Sequence, residues 1–152
     1  MLKTRTRPSR RKGKRPNKPV GARAIGIHGD SVDIVRQVQA GFPSSRLAKF
    51  GKFSGLSSEM IAKLVAIPKR TLSRRQRRGR LRPDESDRLL RACRVFEMAV
   101  DLFEGNTAAA KTWLQTPQPG LGGAIPLDFA STDFGAREVE HLIGRLEYGV
   151  FS

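Results

Sequence analysis

The side chains best suited to bind a polyanion are concentrated in residues 68–81, PKRTLSRRQRRGRL. This stretch contains seven Lys or Arg residues and no acidic residue, whereas a merely solvated helix face usually mixes both signs of charge. Lys and Arg release condensed counterions from phosphates, and Arg can also contact guanine through two hydrogen bonds. The composition therefore indicates contact with DNA and leaves open whether the stretch recognises bases or only holds phosphates.

The spacing of small and apolar residues in 58–77, SSEMIAKLVAIPKRTLSRRQ, fits a helix-turn-helix unit. Two short helices that cross at a sharp turn need a small residue at their closest approach and apolar residues where they face each other. The positions that fit are Ala62 at the closest approach and Ile61, Val65, Ile67 and Leu72 toward the core. Two positions depart from the pattern: the turn residue, often Gly, is Ala66, and a late apolar position is Arg75.

With Leu72 turned to the core, the second helix of this unit presents a basic outward face. The residues predicted on that face, where they can contact bases, are Lys69, Arg70, Ser73, Arg74 and Arg77. The residues predicted to contact phosphates are Arg75, Arg78, Arg80 and Arg82.

The charge is distributed unevenly along the chain of 152 residues, whose net charge is +15. Residues 1–24 contain ten Lys or Arg and no acid, and residues 45–82 contain twelve and one acid. Residues 83–152 contain six Lys or Arg and eleven acids, so only the first half suits a polyanion. This asymmetry predicts a molecule with two separate tasks.

The hydrophobic pattern predicts an all-α protein in three parts. Residues 1–29 are expected to be a disordered basic arm, residues 30–82 a helix-turn-helix domain and residues 83–152 a small helical domain. In the second part, Val32, Val35, Val38 and Gln39 recur at helical spacing behind a cap at Asp30 or Ser31. The clearest helix is 81–105, which begins near Pro83 and ends at Gly105. Two interpretations of the arm stay open, a solvated tail and a nonspecific DNA-binding arm.

The residue types needed for catalysis or metal binding are not clustered in the sequence. His28 and His141 are far apart, and the single cysteine, Cys93, lies in an apolar helix where a buried structural thiol is expected. The Gly-rich GLGG lacks the Lys-Ser/Thr of a phosphate loop. We therefore expect neither an enzyme nor a cofactor. The lone cysteine fits the reducing cytoplasm, and no apolar run approaches the length of a membrane span.

Several separated motifs of the chain occur in the order found in one known family. They are GLSSEMIAKLVAIPKRTLSRRQRRGRLRPDESDRLLRACRVFEMAVDLFEG, then WLQTP with LGGAIPLD, and the terminal GAREVEHLIGRLEYGVFS. Together they resemble antitoxins of bacterial RES–Xre toxin–antitoxin pairs, which carry the Xre/MbcA/ParS toxin-binding domain. The resemblance covers about residues 41–152 and does not include the basic arm.

The resemblance implies a DNA-binding antitoxin, usually a dimer, that binds its own operator. It also implies that the C-terminal helical domain docks on a RES-domain toxin and blocks an NAD-consuming or ADP-ribosylating active site. The toxin-contacting candidates implied in this chain are Leu121, Gly122, Gly123 and Pro126 in a loop, and Arg145, Glu147, Tyr148, Gly149, Val150 and Phe151 at the end. The loop glycines could instead simply shape a turn. The alternative function is a stand-alone helix-turn-helix regulator without a toxin partner.

Overall fold

The computed structural model describes residues 25–149, and these form an all-α fold, as the sequence predicts. Its helices are α1 (Ser31–Ala40), α2 (Ser45–Ser54), α3 (Ser58–Leu64), α4 (Lys69–Arg78), α5 (Pro83–Leu102), α6 (Thr107–Leu114), α7 (Pro126–Phe129) and α8 (Asp133–Glu147). None of the helices in this range is long and apolar enough to cross a membrane.

Side-chain caps fix where several of these helices begin. Asp30 accepts hydrogen bonds from the backbone N–H of Val32 and Asp33, and it forms a reciprocal capping box with Asp33. Ser57 caps α3 and Asn106 caps α6 in the same way, through the N–H of the third helical residue. The cap of α1 that the sequence predicts at Asp30 or Ser31 is therefore confirmed at Asp30.

The helix-turn-helix unit is formed by α3 and α4. Of the residues predicted to face the core, Val65 is fully buried, and Ile61, Ile67 and Leu72 are at most 8% exposed. The turn between the helices is closed by a hydrogen bond from the Ile67 N–H to the Ala62 carbonyl, 3.0 Å long. Ala66 at the turn has φ 53°, in the left-handed region that a glycine would occupy at lower cost. The register predicted for the motif is confirmed.

The long helix α5 joins the two halves of the chain into one core. It packs against α1 and α2 from the first half and against α6 and α8 from the second. Phe96 of α5 makes edge-to-face contacts with two rings of α2, at centroid distances of 6.1 Å to Phe50 and 5.7 Å to Phe53. Lys63 of α3 also pairs with Asp128 of α7. The helix-turn-helix half therefore depends on residues well beyond position 82 for its burial.

The predicted boundary of the arm at residue 29 is wrong for its last residues. Ile25 is fully buried and Ile27 is 1% exposed, so residues 25–29 belong to the folded part. Two isoleucines separated by a glycine are too short a pattern for periodicity to reveal. Residues 1–24, which carry the rest of the predicted arm, lie outside the described residues.

The predicted apolar face of α1 is also partly wrong. Val32 and Val35 are 56% and 53% exposed, while Ile34 and Val38 pack against the core. The inward face includes Gln37, whose amide donates to the His28 carbonyl and accepts from Arg46. The predicted set also contained Gln39, which is exposed, so the predicted face was rotated away from the one that Ile34, Gln37 and Val38 form.

Candidate functional site

The outward face of α4 carries most of the predicted DNA-contacting side chains. The exposed residues of this set, here called the α4 basic face, are Lys69, Arg70, Ser73, Arg74, Arg77 and Arg78. Pro68 precedes the first turn, and Gly79 ends the helix in a left-handed conformation with φ 80°. The last turn contains only basic charges, which suits the negative end of the helix dipole. The face can therefore present several guanidinium groups to one phosphate backbone or groove.

Two polar side chains on the α4 basic face are already engaged within the protein. Lys69 Nζ lies 2.7 Å from Glu59 Oε1, and the Ser73 hydroxyl donates to the Lys69 carbonyl at 3.1 Å. The hydrogen bond from Lys69 holds the pKa of the Glu59 carboxyl below its ordinary value. Both side chains of the pair are more than half exposed, so a phosphate could replace Glu59 at little cost.

Arg75 does not belong to this face, and its predicted role as a phosphate contact is wrong. Its side chain is 10% exposed, and its Nε donates to Glu85 Oε1 over 2.7 Å. The same carboxylate oxygen accepts the backbone N–H of Arg82 at 2.8 Å. Arg75 thus stands at the apolar position that the motif expects, with a buried partner on α5. The acid ten residues later was the one sequence signal for this pairing.

Arg80, another predicted phosphate contact, is tied to the linker before α2. Its guanidinium donates to the Gly41 carbonyl, and it forms an isolated antiparallel bridge with Pro43. The segments lie so close that a Cβ at Gly41 would sit 2.3 Å from the Leu81 carbonyl oxygen. Arg80 is nevertheless exposed, and only one nitrogen of its guanidinium makes these bonds, so the predicted phosphate contacts by Arg78, Arg80 and Arg82 stay predictions.

The loop candidates for toxin contact divide into buried and exposed residues. Leu121 and Pro126 are buried, so their side chains hold the loop in place, and their predicted contact with a toxin stays a prediction. Gly122 and Gly123 are exposed with φ 64° and 84°, and their N–H groups bond back to Pro119 and Gln118. A tight turn accounts for both glycines.

The C-terminal candidates lie at the end of α8. Tyr148 is 83% exposed, Glu147 is exposed and Arg145 is half-buried. Gly149 has φ 68°, so the chain leaves the helix at this residue. Val150 and Phe151 lie outside the described residues.

Phe134 is a further exposed aromatic residue on α8, and it was not among the residues predicted to bind a partner. Phe134 is 72% exposed at the first turn of the helix, while Val139 and Ile143 are fully buried on the opposite face. Its signal in the sequence was a large aromatic residue that does not share the helical spacing of the apolar residues Val139 and Ile143.

Potential metal ligands are not clustered in the part of the chain that the structure describes. No three His, Cys, Asp or Glu residues between positions 25 and 149 lie close enough to hold a metal ion. Burial of Cys93, reinforced by nearby Glu97, raises the pKa of its thiol, which stays protonated at neutral pH.

Comparison with known proteins identifies both halves. Residues 33–93 match the antitoxin Xre-like helix-turn-helix domain, and residues 98–149 match the antitoxin Xre/MbcA/ParS C-terminal toxin-binding domain. Antitoxin Xre of Yersinia enterocolitica is 41% identical over 120 residues, which cover 78% of this chain and 81% of the relative. The chain belongs to the Xre antitoxin family.

Two further Xre antitoxins are similar to the chain over most of its length. That of Photorhabdus laumondii is 37% identical over 74% of this chain and 76% of the relative, and that of Pseudomonas putida is 32% identical over 77% and 72%. In this antitoxin, the α4 basic face lies within the helix-turn-helix domain. The loop candidates, the end of α8 and Phe134 all lie within the toxin-binding domain.

Proposed function

We propose that this antitoxin neutralises a RES-domain toxin by covering its NAD-consuming or ADP-ribosylating active site. The observation that carries the proposal is the exposed Tyr148 at the end of the toxin-binding domain, directly before Gly149 turns the chain out of α8. An aromatic side chain that finds no place in its own core is suited to fill a pocket on a partner. The residues that follow, Val150 and Phe151, extend this candidate contact by sequence alone.

Deletion of residues 148–152 tests the neutralising role. We expect the shortened protein to fold and to bind DNA, but to lose its protection of cells that express the toxin, because a plug acts by occupying a pocket. Growth rescue and an operator mobility shift are measured on the same protein. Full rescue would move the neutralising surface away from the end of α8, and loss of both activities would show that the tail is structural.

We further propose that the antitoxin binds the operator of its own operon through the α4 basic face, as a homodimer that meets DNA and toxin in the cytoplasm. The proposal is supported by the exposure of Arg70, Arg74 and Arg77 on one helix without an acidic residue. In a helix-turn-helix unit, the first turns of the second helix reach base edges in the major groove.

Arg70→Ala and Arg74→Ala test whether α4 recognises bases. Loss of a base contact should weaken binding to the operator by about 1–3 kcal/mol and leave nonspecific DNA affinity much less affected. Arg36→Ala on α1 is a matched control that changes the net charge equally. Equal losses on operator and random DNA would reduce the α4 arginines to phosphate contacts.

A further inference from the structure

The solvent face of α8 is unusual because it carries an exposed aromatic residue at each end. Phe134 and Tyr148 are 72% and 83% exposed, and they are separated by about four helical turns, which places them on one side of the helix about 21 Å apart. His141 and Arg145 lie between them on the same side, with Arg137 at its edge. These five residues are called the α8 outer face below.

A glycine without an internal packing role lies beside this face. Gly144 is in the interior of α8, where glycine is less favourable than alanine. A Cβ built at Gly144 would meet no atom within 4 Å beyond its own helix backbone and chain neighbours in the described part of the molecule. Gly135 in the same helix differs, since its Cβ would lie 1.7 Å from the Phe129 carbonyl oxygen. The fold thus requires Gly135 and does not require Gly144.

The space left open at Gly144 adjoins the second aromatic residue. Glu140, His141, Arg145 and Tyr148 line a shallow hollow around Gly144. A glycine in such a hollow lets another backbone or side chain approach the helix closely. The hollow therefore has a shape into which a partner molecule could pack.

We propose that the α8 outer face is a docking surface for the toxin, with Phe134 as an anchor remote from the tail and Gly144 as the point of closest approach. The proposal rests on the proposed neutralisation of a toxin. It extends the contact from the end of α8 along the whole helix. Arg145 then calls for an acidic group on the toxin, next to apolar sockets for the two aromatic rings, whereas Arg137 already pairs with Asp133.

The toxin is the occupant that the surroundings of the face favour. The face lies within residues 98–149, which match the toxin-binding domain, and it continues directly into Tyr148 and Gly149. The face is not uniformly basic, because Arg137 pairs with Asp133 at 3.1 Å and Glu138 lies 3.7 Å from His141. Arg145, beside Tyr148, is the residue of the face whose charge suits an acidic group on a partner. Duplex DNA would satisfy Arg145 but offers Phe134 no apolar socket.

Three full-length variants test the proposal by calorimetric titration with the RES-domain toxin encoded in the same operon. We expect Phe134→Ala to weaken binding at least about 10-fold, as truncation of an interface anchor does. Gly144→Ala should weaken binding by about 5-fold or more while the Tm of the free antitoxin rises by about 1–4 °C. Val35→Ala, which shortens an exposed apolar side chain on α1, should change the affinity by less than about twofold.

The combination expected for Gly144→Ala separates docking from folding, because a more stable protein that binds less well has not lost binding through misfolding. Unchanged toxin affinity of both Phe134→Ala and Gly144→Ala would overturn the docking surface and leave the proposed function intact. A change in the sedimentation of the free antitoxin on Phe134→Ala would assign the face to a second copy instead. A wild-type chain that does not bind the toxin would refute the proposed function itself.

Discussion

The guanidinium of Arg75 and the carboxylate of Glu85 form a buried ion pair between the helix-turn-helix unit and the start of α5. Their side chains are 10% and 4% exposed, and Glu85 also caps α5 by accepting the Arg82 N–H. The sequence placed Arg75 correctly at a core position of the motif, but its residue type suggested a phosphate contact. A one-dimensional pattern could not pair it with an acid on the next helix.

Arg75→Ala should therefore act on stability more than on DNA contact. Removing one partner leaves Glu85 as an uncompensated buried charge, which costs about 3–5 kcal/mol of the free energy of unfolding. Arg74→Ala, one residue away on the exposed face, should change that free energy by less than about 0.5 kcal/mol. Urea unfolding of both variants measures the difference. Equal stability of the two proteins would show that the ion pair contributes nothing.

The turn of the motif contains a second residue whose type does not suit its backbone conformation, because Ala66 adopts φ 53°. An L-residue in this region loses about 1–2 kcal/mol, and a glycine avoids that cost but gains freedom in the unfolded chain. We expect Ala66→Gly to raise the free energy of unfolding by about 0.5–1 kcal/mol.

Gly55→Ala is the matched control for the turn, since Gly55 has φ 66° and open space around its Cβ position. It should lower the free energy of unfolding by a similar amount, measured by the same urea titration. A loss of stability in Ala66→Gly would mean that the methyl group of Ala66 contributes packing that outweighs its backbone strain.

At the scale of elements, the helices were predictable from caps and periodicity, while their assignment to domains was not. The boundary predicted between residues 82 and 83 follows the change in charge, yet α5 packs on both halves. The charge pattern indicates which kind of partner a surface can bind. The core is formed instead by contacts such as Phe50–Phe96, which join distant parts of the chain. The face of α1 was misplaced because the predicted set included the exposed Gln39 and left out Ile34 and Gln37.

Two truncated proteins test the dependence of the first half on α5. Residues 25–82 should show no cooperative thermal unfolding, because Phe50 and Phe53 lose Phe96 and Arg75 loses Glu85. Residues 25–104 retain these partners and should unfold cooperatively. Circular dichroism melting curves compare them. A cooperative transition in the shorter protein would establish residues 30–82 as an independent domain.

At the scale of the whole molecule, the uneven charge anticipated the division between a basic helix-turn-helix half and an acidic toxin-binding half. The exact partner surfaces could not be predicted in this way, because Phe134 and Gly144 have significance only through their exposure. Residues 1–24 lie outside the described part of the structure, so their role is inferred from their sequence. Their ten basic residues and lack of acids predict a contribution to DNA affinity that is independent of base sequence.

Deletion of residues 1–24 tests that contribution. Each neutralised phosphate adds about −0.9 to the slope of log K against log salt concentration, so loss of the arm should flatten the slope by up to about 9. Operator and random DNA should lose affinity together, because contacts of Lys and Arg with phosphates carry no base-sequence information. Binding is measured by fluorescence anisotropy at several salt concentrations, with deletion of residues 148–152 as a control that keeps the arm. An unchanged slope would make the arm a solvated tail, and a selective loss on the operator would show that it recognises sequence.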